Sequence, residues 1–262
     1  MKNVVSVFRM DKQNIGDMRS CPALYFPLIG EKIDYFRIQC EKEKMTGKNV
    51  VIGGGGSVDY SPFLTEDIIA IRGCNPRRMV MWGVGTNKEF EIKEMDGKKK
   101  NPSYDVFKHM DLVGCRDWNS GFDWVPCASC MSGLFEKYRD LKPEHKCVVY
   151  CCSSHKPTIK LHLPEMTNTS SFEDVIRFLA SAETVISTSY HGVYWATLLG
   201  RKVIVVNPWS TKFAHMKHMP FVVEGWGNVF DVMSNGVSHE GALEECREVN
   251  VAFARKVLSI LE

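Results

Sequence analysis

Short runs of apolar residues, many of them β-branched, recur along the whole chain. Strands that are buried on both faces have this pattern, because each of their side chains points into a core. Such strands belong to parallel sheets that are covered by helices. The pattern therefore predicts an α/β fold. The runs that we interpret as strands are residues 4–8, 35–38, 50–52, 79–82, 112–115, 147–150, 185–187 and 203–206.

Helical patterns, with apolar residues three or four positions apart, lie between several of these runs. They cover residues 61–71, 172–181 and 191–199, and a terminal helix carries apolar positions from Leu243 to Leu261. Between two of the strands, residues 134–146 are polar and charged. We therefore expect two Rossmann-like domains facing across a cleft, residues 1–143 and residues 144–262, with the terminal helix packing back across the boundary. One α/β domain with a large insertion is the alternative.

Composition limits the class of protein and its partners. The 262 residues are 44% hydrophobic and carry a formal net charge of +2, so the chain is globular and has no overall field that favours nucleic acid. No apolar stretch approaches the roughly 18 residues of a membrane span, which leaves peripheral membrane contact open. Residues 4–8 are too short for a signal-peptide core, and the ten cysteines are scattered. We expect reduced thiols and a cytoplasmic protein.

Glycine and polar residues follow the strands of the first half. Ligands of parallel sheets bind beyond the carboxyl ends of the strands, where glycine lets backbone N–H groups approach an anion or a sugar. The glycine run at 53–56 is not a Walker loop, because no Gly-Lys-Ser/Thr follows it. We assign the acceptor side of the cleft to this half. Its predicted residues are Asn14, Gly16, Gly53, Gly54, Gly55 and Thr86, with Arg116 as a cation and Asp17 or Asp117 as the acid or base.

The most informative local pattern lies at residues 185–196, where a buried strand runs through three hydroxyl residues directly into a helix. Hydroxyl side chains cap the first turn of a helix, and its N–H groups and dipole attract phosphate or carboxylate. His191 would stand at the mouth of this pocket and act in catalysis, and Lys212 would follow the next strand at the same edge. The predicted anion site comprises Ser187, Thr188, Ser189, His191, Gly192 and Lys212, together with Arg116 from the first half.

Cysteine and histidine also raise the question of a metal or redox site. Cys127 and Cys130 form a single CxxC pair, and no second pair follows at the spacing of a zinc ribbon. The neighbouring Pro126 and aromatic residues indicate a packed loop rather than a redox-active helix start. No Asp-x-Asp pair stands at the end of a strand. We expect neither a metal nor a resident cofactor.

Several segments, taken in order, carry a family resemblance: residues 14–17, 53–56, 83–86, 115–117 with Ser120 and Pro126, 188–192 and 199–204. Together they resemble the polysaccharide pyruvyl transferase family. The resemblance implies a fold similar to the glycosyltransferase type B (GT-B) architecture and a role in polysaccharide biosynthesis. It also implies transfer of pyruvate from phosphoenolpyruvate onto sugar hydroxyls as a ketal. The family's Ser/Arg-x-His-Gly segment falls on Ser189, His191 and Gly192, and its Arg-Asp pair falls on Arg116 and Asp117.

Two alternatives to pyruvyl transfer follow from the same residues. Some members of that family have arginine where this chain has Ser189, so Arg116 or Lys212 has to supply the cation. A GT-B-like glycosyltransferase with a nucleotide-sugar donor is the first alternative. For either enzyme the acceptor is a glycan or a lipid-linked sugar. The second alternative is a non-catalytic sugar-binding module, whose stacking platforms would be Trp118, Trp124, Trp195, Trp209 and Trp226.

Overall fold

Two parallel sheets form the framework of the protein. The structure, a computed structural model, describes residues 3–58, 62–88 and 103–262. The first sheet contains β1 (Val4–Phe8), β2 (Gly30–Asp34), β3 (Asn49–Gly53), β4 (Gly56–Val58), β5 (Arg78–Thr86), β6 (Leu112–Cys115) and β7 (Asp123–Trp124). Its strand order is β2-β1-β3-β5-β6-β7, and β4 pairs with β5. The second sheet contains β8 (His145–Cys151), β9 (Glu165–Thr167), β10 (Ala182–Ser187), β11 (Lys202–Val206) and β12 (Phe221–Val223), in the order β12-β11-β10-β8-β9.

Helices connect and cover the strands. The α-helices are α1 (Ile15–Met18), α2 (Ile38–Glu41), α3 (Pro62–Gly73), α4 (Leu134–Tyr138), α5 (Phe172–Ala180), α6 (Tyr190–Leu198) and α7 (Ala242–Leu261). Short 3-10 helices occupy Pro22–Leu24, Tyr35–Arg37, Lys42–Met45, Asp105–His109, Ala128–Met131, Thr211–Phe213, Trp226–Asn228 and Phe230–Asn235. No helix in the described part of the chain is long and apolar enough to cross a membrane.

Both faces of the inner strands are buried, which explains why these strands are apolar at nearly every position. One face of the first sheet packs against α3, and the other face, which includes Trp82, packs against α7. In the second sheet, α5 and α6 cover one face, and Trp226 and Val229 lie against the other. This arrangement confirms the predicted α/β fold with two Rossmann-like sheets facing across a cleft, which is similar in outline to the GT-B architecture.

Seven of the eight predicted strands are present, and the prediction for residues 35–38 is wrong. That segment forms a 3-10 helix and the start of α2, because the Asp34 side chain caps it by accepting a hydrogen bond from the Phe36 N–H (2.8 Å). The strand is instead β2, just before it. β2 is an edge strand in which only Ile33 is buried, so its sequence lacks the apolar run that identifies the inner strands.

Helix α7 contacts the cores of both sheets. Leu243 and Cys246, in its first half, belong to the cluster around the second sheet, whereas Phe253 and Val257 pack on the first. Between them the buried Asn250 accepts a hydrogen bond from Trp82 Nε1 (2.9 Å). The proposed boundary after residue 143 falls between α4 and β8, and the division into domains at that residue stays a prediction.

All ten cysteines lie within the described residues and carry free thiols. Most are buried small side chains, and burial raises the pKa of the Cys115 thiol to about 12. Cys127 directly precedes the 3-10 helix Ala128–Met131 and Cys130 lies within it, and both are buried, which agrees with a packed segment. The described residues contain no cluster of three or more His, Cys, Asp or Glu side chains that could hold a metal ion.

Candidate functional site

A cavity of about 340 Å³ lies between the two sheets, at the carboxyl ends of their strands. Hydrogen bonds across the cleft fix the relative position of its walls: Ile15 N–H donates to the Asn168 carbonyl (2.8 Å), and the Ser210 hydroxyl donates to Asn87 Oδ1 (2.7 Å). Eight predicted site residues line the cavity, namely Asn14, Asp17, Gly54, Gly55, Arg116, Ser189, His191 and Lys212. Sequence positions that are up to 198 residues apart therefore meet in one place.

Arg116 is the buried cation of the cavity. Only 3% of the residue is exposed, and its guanidinium lies 4.0 Å from the centre of the Tyr190 ring. Its Nη2 has one long contact, 3.5 Å from the Thr86 carbonyl, and its buried Nε has no hydrogen-bond partner. It forms no ion pair with any carboxylate of the described residues. A buried guanidinium without a counter-ion is costly, so this position favours an anionic ligand.

Lys212 is the second cation, and it approaches from the other sheet. The Ser210 hydroxyl caps its 3-10 helix, and the Lys212 Nζ lies 3.6 Å from the centre of the Trp209 ring. Burial, with the charge of Arg116 as the next cause, lowers the pKa of Lys212 from 10.5 to about 7. The amine therefore exchanges its proton near neutral pH, and a bound anion would stabilise its charged form.

Asp17 is the carboxylate that faces the two cations. It stands in α1, where Asn14 caps the helix by accepting from Gly16 N–H (3.2 Å), and Asn14 Nδ2 donates to Asp17 Oδ2 (2.9 Å). Burial raises the pKa of Asp17 to about 6, although the charges of Lys212 and Arg116 oppose this. A carboxyl group with this pKa can take up or release a proton near neutral pH.

His191 lines the cavity as a neutral side chain. Burial, together with the positive charges of Arg116 and Lys212, lowers its pKa well below 6.5. Its Nε2 lies 3.6 Å from the Cys127 Sγ, and the other side of the ring packs against Gly16, where any Cβ would overlap the imidazole. His191 can thus exchange a hydrogen bond with a ligand, but the positive charge of the site comes from Arg116 and Lys212.

The hydroxyl residues before α6 have different tasks. Ser189 caps the helix by accepting from the Gly192 N–H (3.4 Å), as predicted for one of the three. The Ser187 hydroxyl donates to the Tyr150 carbonyl (2.7 Å), and the Thr188 hydroxyl donates to the His155 carbonyl (2.7 Å). Ser187 and Thr188 therefore brace the strand ends beneath the cavity and do not line it.

Five further predicted residues also lie outside the lining. Asp117 is buried and its Oδ2 accepts from Thr86 N–H (2.7 Å) and from the Tyr104 hydroxyl (3.1 Å), which occupies the carboxylate with structural contacts. Of the two carboxylates considered as acid or base, Asp17 is the one that faces the cavity. Gly16, Gly53 and Gly192 are sites of close packing, because a Cβ would overlap His191, Pro22 and Tyr150 respectively. Thr86 itself is fully buried.

The glycine run forms an open part of the wall. Gly54 and Gly55 both have positive φ, +73° and +89°, a conformation that favours glycine. A Cβ at Gly54 would overlap Ser20, whereas Gly55 has no neighbouring atom within 4 Å of that position. Gly55 lines the cavity, and its carbonyl accepts a hydrogen bond from the Gly85 N–H (3.2 Å).

Several lining residues were not predicted, because nothing in their local sequence distinguishes them from ordinary loop residues. They follow strand ends or short helices of both sheets: Arg9, Asp11, Tyr35, Phe36, Ser57, Asn87, Cys152 and Asn168. Of the tryptophans considered as sugar platforms, Trp195 and Trp226 are buried in the core, so that role is wrong for both. Trp209 lies in the cavity wall, where it stacks on His155 at 4.3 Å.

Fold and site together define an α/β protein with a cavity between two parallel sheets, and two cationic side chains, Arg116 and Lys212, line that cavity. No protein-family model and no curated protein matches the sequence. Among solved structures, a functionally uncharacterized protein from Klebsiella pneumoniae is 17% identical with a TM-score of 0.48, over 78% of this chain and 83% of that one. ADP-heptose lipopolysaccharide heptosyltransferase II of E. coli is 8% identical with a TM-score of 0.39, over 95% of this chain and 99% of that one. Both scores are below 0.5, so the fold assignment depends on the two sheets themselves.

Proposed function

We propose that this chain is a transferase that moves a group from a phosphate-bearing donor to a hydroxyl group of a sugar acceptor. The observation that carries the proposal is the meeting of Arg116 and Lys212 beside Asp17 in the cleft. Neither cation forms an ion pair with a carboxylate among the described side chains, so both can bind the negative charges of the donor. Asp17, a carboxyl group with a pKa of about 6, can accept the proton of the acceptor hydroxyl.

The donor's phosphate would lie between Arg116 and Lys212, next to the first turn of α6. Charge grows on the leaving phosphate oxygen as its bond to the transferred group breaks, and fixed cations in a partly desolvated site stabilise that charge. Protonated Lys212 would be favoured once the anion is bound, since opposite charge raises a lysine pKa. His191, being neutral, would contribute one hydrogen bond.

Asp17 would act as the general base. Its pKa of about 6 leaves most molecules ionised at neutral pH, while the residual affinity for a proton is higher than that of an exposed aspartate. The hydrogen bond from Asn14 Nδ2 holds one carboxylate oxygen (2.9 Å), so the other oxygen is the one available to the acceptor hydroxyl. Transfer of the proton to Asp17 accompanies attack of the hydroxyl oxygen on the donor.

For the donor we propose a nucleotide sugar. Glycosyl transfer by direct displacement needs one base and cations for the leaving diphosphate, and Asp17, Arg116 and Lys212 are such a set. The remaining carboxylate in the lining, Asp11, is paired with Arg9 (3.4 Å). Asp17, Arg116 and Lys212 thus each have a place in this reaction.

Phosphoenolpyruvate is the second candidate donor, and Lys212 is the observation that favours it. Ketal formation requires a proton on the methylene carbon of phosphoenolpyruvate, and an amine with a pKa of about 7 can donate one. Arg116 would then hold the carboxylate in a forked interaction. The first sugar hydroxyl attacks the resulting cationic carbon and passes its proton to Asp17. The C–O bond to phosphate then breaks, and the second hydroxyl adds to the carbon and passes its proton to the departing phosphate.

Product analysis tests the proposal. The wild-type protein is incubated with simple sugar glycosides and either phosphoenolpyruvate or a panel of nucleotide sugars, and products are weighed by mass spectrometry. A glycosyl-sized gain with nucleotide release supports the first donor, and a ketal-sized gain with phosphate release supports the second. Asp17→Asn should abolish either product, while Asp123→Asn, an exposed aspartate paired with Lys256, should not. Absence of any product from every donor would contradict transferase activity.

A further inference from the structure

Phe36 is a large aromatic side chain that stands exposed at the rim of the cavity. It lines the cavity together with Tyr35, yet 69% of the residue is accessible to solvent, the largest exposed fraction among the exposed large hydrophobic residues of the described chain. Neither the fold nor the proposed donor site uses it. An exposed ring at a ligand cavity indicates a contact surface for a ligand, since leaving it in water has no benefit for folding.

The position of Phe36 is fixed although its ring is exposed. Asp34 accepts a hydrogen bond from the Phe36 N–H (2.8 Å) and a second from Met10 N–H (2.9 Å). The same carboxylate binds Arg9 Nη1 (3.0 Å), and the Arg9 guanidinium lies 4.2 Å from the centre of the Phe36 ring. Because these contacts hold the ring in place, a ligand that stacks on it loses little conformational entropy from the protein.

The charges at this rim differ from those at the donor end. Arg9 is paired with both Asp34 and Asp11, so within the described part of the chain the rim has no cation left for a phosphate. The unpaired cations, Arg116 and Lys212, lie at the proposed donor position. A phosphorylated ligand therefore has its electrostatic partners elsewhere in the cavity, and the rim suits an uncharged ligand.

We propose that the Phe36 ring is the stacking platform for the acceptor, and that the acceptor places a neutral pyranose ring there. The C–H face of such a ring packs on an aromatic face, and its edge carries hydroxyls. Hydrogen-bonding groups for those hydroxyls line the same cavity, among them Asp11, Asn14 and Ser57. The assignment as acceptor rests on the proposed transferase function, but the sugar-binding subsite can be tested without turnover.

The experiment measures binding of neutral sugars directly. Saturation-transfer NMR and titration are carried out on the full chain with methyl β-galactopyranoside, methyl β-glucopyranoside and methyl α-mannopyranoside, and with AMP as a planar anionic competitor. The variants are Phe36→Leu, which keeps apolar area without a ring, and Phe36→Tyr, which keeps the ring. Phe230→Ala is the matched control, because Phe230 is also exposed (49%) but lies outside the cavity lining. Circular dichroism confirms that each variant is folded.

The expected result is saturation transfer to the ring C–H protons of at least one glycoside. Phe36→Leu should bind that glycoside roughly tenfold more weakly, while Phe36→Tyr and Phe230→Ala keep the wild-type affinity. The proposal is overturned if no glycoside binds the wild type, if Phe36→Leu binds it equally well, or if AMP alone depends on Phe36. If the glycoside depends on Phe36 but the product assay detects no transfer, the sugar subsite stands and the transferase function fails.

Discussion

Replacing Lys212 by methionine should stabilise the fold and weaken the anion site at the same time. Lowering the pKa of this lysine from 10.5 to about 7 means that the folded protein resists charging it. The corresponding free energy has an upper bound of about 5 kcal/mol. Lys212 is half-buried, so solvent screening reduces the penalty to about 1–2 kcal/mol. Methionine has a similar length and carries no charge, so Lys212→Met removes the penalty.

The gain in stability from Lys212→Met should decrease as the pH rises. Because the pKa of folded Lys212 lies below its unfolded value, the unfolded chain binds more protons between about pH 7 and pH 10.5. The free energy of unfolding of the wild type therefore rises with pH across that window, as far as Lys212 contributes to it. Lys212→Met should be more stable than wild type by about 1–2 kcal/mol at pH 6, and the difference should shrink toward pH 10.

Urea denaturation at pH 6 and at pH 9.5, followed by fluorescence, measures this difference. Lys256→Met is the control: Lys256 is exposed and pairs with Asp123, so its replacement should change stability by less than about 0.5 kcal/mol at both pH values. A Lys212→Met protein that is less stable than wild type at pH 6, or a difference that does not vary with pH, would refute the reasoning.

Two further predictions concern the packing that supports the site. Gly192→Ala should destabilise the protein by about 1–3 kcal/mol because its Cβ would overlap the Tyr150 ring, whereas Gly133→Ala, with no atom within 4 Å of its Cβ, should be close to neutral in the same thermal denaturation series. Asn250→Leu should cost about 1–3 kcal/mol by leaving the buried Trp82 Nε1 without its acceptor, and unchanged urea denaturation of this variant would contradict that role.

Inner strands could be predicted from the sequence because burial on both faces leaves a continuous apolar run, as at β1, β8 and β11. Edge strands could not. β2 has one buried apolar residue, and β7 and β12 are two and three residues long, so packing against a neighbouring strand rather than local composition determines them.

Within the site, several residues that follow inner strands were predictable, and residues that follow edge strands were not. Arg116, Ser189 and Lys212 follow buried strands directly or within one short loop, and parallel topology brings such ends together. By contrast, Phe36 and Asn168 follow β2 and β9, which are edge strands without a continuous apolar run. The sequence also could not show which carboxylate, Asp17 or Asp117, is available to a ligand. That depends on hydrogen bonds formed in the fold: the Asp117 carboxylate accepts from the Thr86 N–H and the Tyr104 hydroxyl.

The central claim is that Arg116 and Lys212 form an anion site in the cleft, and sulfate binding measures it most directly. Sulfate keeps the same charge between pH 6 and pH 9, so any change in affinity over this range belongs to the protein. We expect the wild type to bind sulfate roughly tenfold more tightly at pH 6 than at pH 9, because Lys212 loses its positive charge between them and Asp17, with a pKa of about 6, becomes fully ionised. Lys212→Met should bind weakly at both. Equal affinity at the two pH values, unaltered by Lys212→Met, would contradict the account.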